Sequence, residues 1–161
     1  MFKSNIKKSN IKKSNTKKNT KQTIFHEYVE LCNKYKDLYG EKTIVLMQVG
    51  MFYETYGLDT FYPKNRNGGE DVKSFSQLLN IIYAIKHTRN TKNLSQQQPQ
   101  YVSEENPYMC GFPVSVIDKY VDILVSKKYT VVIIDQYDDD MGSDSPKQRK
   151  VSEIISPSTY I

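Results

Sequence analysis

The chain has 161 residues, of which 38% are hydrophobic and 25% charged, with a formal charge of +5 and a pI near 9.0. That length suits one domain, and no run approaches the roughly 18 apolar residues of a membrane span. The sequence shows no apolar signal segment at its start and no glycine followed by lysine, so neither a secretory leader nor a Walker-type ATP loop is expected in it.

The charge is unevenly placed. Residues 1–21 hold eight of the 23 basic residues and none of the 18 acidic ones, so the rest of the chain is acidic by three. This tail repeats Lys-Ser-Asn-Ile-Lys and Lys-Ser-Asn-Thr-Lys units, a five-residue period with too little apolar surface to offset chain entropy. Residues 1–22 are therefore expected to be a disordered Lys/Asn/Ser-rich tail. It is a solubilising remnant, a phosphate-binding arm or a targeting segment.

Order is expected from Thr23 to the C-terminus. Ile24, Tyr28, Leu31, Tyr35 and Leu38 recur at helical spacing, with Thr23 as N-cap, Gly40 as stop and Cys32 beside the stripe. Thr43–Val49 is β-branched and apolar, a buried strand that ends at Gly50. A short helix over 71–80 turns Phe75, Leu78 and Leu79 inward, and 81–86 reads as another strand. Residues 88–106, rich in Asn, Gln and Ser, form a long polar loop. A second amphipathic helix covers 114–128 behind Pro113, a strand covers 129–135, an acidic loop 138–146 and a last apolar segment 151–155. Alternating helices and strands predict an α/β domain with a mixed β-sheet flanked by helices.

Cys32 and Cys110 are lone cysteines without CxxC spacing, and His26 and His87 lie outside ligand spacing of them. That argues against a metal site and for a reducing, intracellular compartment. The most unusual segment is Gly50-Met51-Phe52-Tyr53-Glu54-Thr55-Tyr56-Gly57. In an extended chain Phe52 and Glu54 share a face and Tyr53 points away. Periodicity alone puts Phe52 in a core. A ring next to a carboxylate is a poor core pattern, however, and a good one for an edge that contacts bases.

The run from Val45 to Glu54 resembles the Phe-x-Glu element of the N-terminal mismatch-recognition domain of MutS proteins. Tyr108-Met109-Cys110-Gly111-Phe112-Pro113 with Tyr120 is similar to the family's Met-Ala-Gly-x-Pro segment and its helix. Ile133–Asp135 with Gln136 resembles the strand ending in Glu-Gln, and Arg149-Lys150-Val151 through Ser156-Pro157-Ser158 resembles Arg-x-Val…Thr-Pro-Gly. The order and spacing hold from about residue 24 onward. Departures are Met51 where many members have Asp, Asp135 for Glu, Ser158 for Gly, and an insertion-like loop after Arg89.

The resemblance implies a DNA mismatch repair domain of a large-DNA-virus or mitochondrial-type member. Its partner is double-stranded DNA carrying mismatches or small loops. Phe52 and Glu54 would contact the mispair, with Val49, Met51, Lys86, Arg89 and Pro113 near the DNA-facing surface. For Lys86 and Arg89 a merely solvated basic pair is the competing reading. The resemblance also implies that this chain is a fragment without catalytic residues or cofactors, ATP and Mg²⁺ belonging to other domains of a dimeric parent. Two other readings remain. Asp135, Asp138, Asp139 and Asp140 at a strand end suit a metal-dependent nuclease, although an acidic loop is usually only solvated. A protein-interaction module is the third.

Overall fold

The computed structural model describes residues 22–58, 66–86, 101–137 and 147–159. The basic tail, His87, Arg89, most of the polar loop, and Asp138, Asp139 and Asp140 lie outside the described residues.

Thr23 opens helix α1 (Ile24–Tyr39), its hydroxyl accepting from the His26 backbone N–H at 3.3 Å, and Gly40 at φ +94° closes it. Both ends fall where the sequence places them. The buried stripe is Phe25, Tyr28, Val29, Cys32 and Tyr35. Tyr28 and Tyr35 hold their expected positions, but Ile24 and Leu31 are half-buried and Leu38 is exposed. The helix is turned toward Phe25, which packs in the core with Tyr28, Val45, Met47 and Tyr56, and a Cβ at Gly69 would lie 3.2 Å from its ring.

The helix lies on a six-stranded mixed sheet whose order is β3-β4-β2-β1-β5-β6. The strands are β1 (Thr43–Val49), β2 (Phe52–Gly57), β3 (Tyr83–Ile85), β4 (Tyr108–Pro113), β5 (Thr130–Tyr137) and β6 (Gln148–Ile155). Only β1 and β5 run parallel; the other pairs are antiparallel. Along each strand alternate residues feed opposite faces. Val45, Met47, Tyr56, Val132 and Ile134 pack beneath α1. Ile44, Leu46, Tyr53, Phe112 and Ile133 pack beneath α2 (Val72–Leu79) and α3 (Ile117–Ser126). The expected α/β architecture is the observed one.

The boundaries move in explicable ways. Asp71 caps α2 by accepting from the Ser74 N–H at 3.0 Å, and Asn80 ends it in the left-handed region. The helix expected from residue 114 begins with a 3₁₀ turn at Val114–Val116, and β6 starts three residues before the expected 151. Strands β2 and β4 are additions to the sequence reading. A strand reading of β4 is discouraged by its Gly111 and Pro113, residues that weaken strand interiors. Pro113 is tolerated because it is the strand's last residue.

Burial has a consequence for alkaline stability. It pushes the Cys32 thiol up to about 12 and the Cys110 thiol up to about 11, from an ordinary 9.0, and raises the Tyr28 and Tyr56 hydroxyls as well. The unfolded chain therefore releases these protons first. Stability from these groups is complete below about pH 9 and is lost as pH climbs toward the raised values. The urea midpoint is expected to fall steadily above about pH 9, and a midpoint level to about pH 10.5 would contradict the burial described.

Candidate nucleic-acid interface

β1 and β2 form a hairpin whose last pair is Val49 opposite Phe52, leaving Gly50 and Met51 as the turn. Gly50 has φ +60° and Met51 does not share the positive sign. This is the pattern of a II′ turn, which takes glycine at its first central position and matches the strand twist. The tip is braced from neighbouring strands. Gln136 accepts from the Gly50 N–H at 3.1 Å, and its own N–H donates to Gln48 Oε1 at 2.9 Å. The Gln48 amide reaches the Gly50 carbonyl, Arg149 Nε donates to the Gln48 carbonyl, and the Val114 N–H donates to the Met51 carbonyl. Arg149 is itself anchored on Glu27 at 2.8 Å. Within this fixed frame Met51 is 70% exposed and Phe52 45% exposed. Phe52 is not the core residue that periodicity suggests.

Registers place Val49, Phe52 and Pro113 abreast on one sheet face, with Met47, Glu54 and Gly111 in the next row inward. Beyond them Tyr56 lies opposite Met109, under the edge of α1. Glu54 is only 7% exposed. Its Oε2 accepts from Lys86 Nζ at 2.7 Å and from the Tyr56 hydroxyl. Lys86 also donates to Tyr56 Oη at 2.9 Å and lies 5.0 Å from the centre of that ring. Burial, then Glu54, raises the Tyr56 hydroxyl, which stays protonated and donating. Gly111 leaves room for the acid: a Cβ there would stand 3.1 Å from Glu54 Cγ and 2.4 Å from the Tyr53 carbonyl oxygen.

The structure thus brings Val49, Met51, Phe52 and Pro113 to one end of the sheet, with Glu54 and Lys86 just behind. Lys86 is bound to Glu54 and is not the solvated cation of the competing reading. Arg89 lies outside the described residues. Sequence reasoning missed the structural work of Gln48, Tyr56, Gly111, Gln136 and Arg149. Gln48, Gly111, Gln136 and Arg149 fall inside the family-like segments, and Tyr56 in the unusual stretch from Gly50 to Gly57, which was the available signal. Asp135 accepts from the Tyr53 hydroxyl at 2.6 Å on the opposite face. It lines a cleft of about 400 Å³ with Asp118, Asp122 and Glu153. Among the described residues no three His, Cys, Asp or Glu side chains are grouped to hold a metal.

A family model described as MutS domain I matches residues 69–161. The chain belongs to the MutS family. A putative DNA mismatch repair protein, a MutS homologue of Acanthamoeba polyphaga mimivirus, is 31% identical over 143 residues, 89% of this chain and 11% of that protein. The DNA mismatch repair protein MutS of Chlorobium phaeobacteroides is 27% identical over 134 residues, covering 83% of this chain and 12% of its own length. MutS of Staphylococcus aureus strain Newman is 27% identical over 139 residues, covering 86% and 12%. The chain spans about one-eighth of the length of these MutS relatives. A match over 143 of 161 residues necessarily takes in the β1–β2 hairpin, which the MutS domain I match, starting at Gly69, does not reach. The mimivirus relative represents one of the two kinships that the sequence suggests. No described helix is long and apolar enough to cross a membrane.

Proposed function

We propose that this chain is the mismatched-DNA-binding module of a MutS protein, in which Phe52 enters the duplex beside the mispair and Glu54 hydrogen-bonds the displaced base. The observation that carries the reading is an aromatic ring held out at a hydrogen-bonded hairpin tip, with a carboxylate next along the same face. Opening a stacked step costs a few kcal/mol, and least at a mispair, where stacking and pairing are already weak. A wedge therefore selects for deformability and accepts many mismatches without reading sequence. Fixing the tip before binding lowers the entropy lost on association. Val49, Met51 and Pro113 flank the wedge with apolar surface. Arg89 and the lysine-rich tail supply phosphate contacts. The module itself binds without doing chemistry. ATP hydrolysis and dimer contacts belong to other parts of a longer parent protein.

The test is fluorescence anisotropy in EDTA with G·T-mismatched, looped and matched duplexes. Tighter binding to the mismatched and looped duplexes is expected, and equal affinity for all three overturns the proposal. Magnesium-dependent nicking would favour the nuclease reading instead.

A further inference from the structure

We propose that Lys86 is a latch on Glu54: it holds the carboxylate in the free protein and passes to a DNA phosphate when Glu54 turns to a mispaired base. The inference rests on the mismatch-binding reading above.

Three features of the Glu54 site carry it. Lys86, Glu54 and Tyr56 form a closed set, with Lys86 donating to both partners and Tyr56 donating to the acid. Glu54 is buried and already accepts from Tyr56, so it gives up Lys86 only for another hydrogen-bond donor, because a poorly solvated carboxylate short of donors is strongly unfavourable. The lysine is the mobile member. Its side chain is 23% exposed against 9% for that of Glu54, and its ammonium rides on a flexible four-carbon stem.

On matched DNA no base is opened toward Glu54, so the pair stays closed. Lys86 then neutralises the carboxylate and contributes no phosphate contact. At a mispair the displaced base becomes the new partner of Glu54, and the freed ammonium reaches the backbone. One additional phosphate contact is thereby made conditional on the mismatch. Discrimination then comes partly from a basic residue that never touches a base.

The measurement is the salt dependence of affinity for the full 161-residue chain on mismatched and matched duplexes. Each phosphate neutralised adds about 0.9 to the slope of log K against log salt. Lysines of the basic tail act on both duplexes and cancel in the difference. The wild-type slope is expected to be steeper on mismatched DNA by about 0.9. Lys86→Met should abolish that difference, and Lys86→Arg should keep it. Glu54→Gln frees Lys86 on both duplexes, so the matched slope should rise to meet the mismatched one. That last arm does not depend on the Lys86→Met variant folding. Mismatch-selective binding with equal wild-type slopes overturns the latch alone, as does a difference that survives Lys86→Met. Absence of mismatch selectivity overturns the function reading and the latch together.

Discussion

Phe52→Ala is expected to cut the preference for mismatched over matched duplex by roughly 5- to 150-fold, because a base stacked on an aromatic ring contributes about 1–3 kcal/mol. The same change should alter folding stability by no more than about 0.5 kcal/mol, as for other surface substitutions. The ring is 45% exposed, and the contacts that fix the tip come from the backbone, Gln48, Gln136 and Arg149. A core phenylalanine behaves differently, losing about 3–5 kcal/mol on truncation to alanine. Anisotropy and urea unfolding on the same variant separate the two cases. Lost stability with retained discrimination would place Phe52 in the core and remove it from the DNA.

Gly111→Ala is expected to give the larger effect on the fold. The new methyl would stand 2.4 Å from the Tyr53 carbonyl oxygen, a backbone atom of the paired strand, and 3.1 Å from Glu54 Cγ. A flexible side chain could swing away, but a carbonyl within a β ladder cannot, so β2 and β4 must separate locally. Overpacking of this kind costs about 1–3 kcal/mol. Because β2 carries both Phe52 and Glu54, mismatch preference should fall along with stability. Urea unfolding reads the lost stability, hydrogen exchange at the β2–β4 amides reads the separation of the strands, and anisotropy reads the mismatch preference. A wild-type midpoint with unchanged exchange would show that the two strands are not held this closely.

These two residues also show what a sequence discloses and what it does not. The ends of α1 were legible because a cap and a stop are local: Thr23 and Gly40 act on residues within one turn. β1 and β5 were legible as apolar runs, since a strand covered on both faces need not alternate. Phe52 and Glu54 sharing a face follows from strand geometry alone. What escaped the sequence was non-local. Lys86 meets Glu54 across 32 residues, and Gln136 meets Gln48 across 88. Only the register of β2 on β4 tells Gly111 that it faces Glu54. Periodicity misplaced Phe52 because an apolar residue at a hairpin tip looks like one in the middle of a strand until the turn is known. The burial of Glu54 was hidden for the same reason, since its neutralising lysine follows a different strand.

The central claim, that Phe52 enters the helix beside a mispair, is tested most directly by 2-aminopurine placed next to a G·T mismatch. This base brightens when it loses its stacking partner. Adding the wild-type chain should raise its fluorescence on mismatched duplex and leave it low on matched duplex, and Phe52→Ala should bind with little or no rise. An equal rise with Phe52→Ala, or none with the wild-type chain at saturating concentration, would contradict the account.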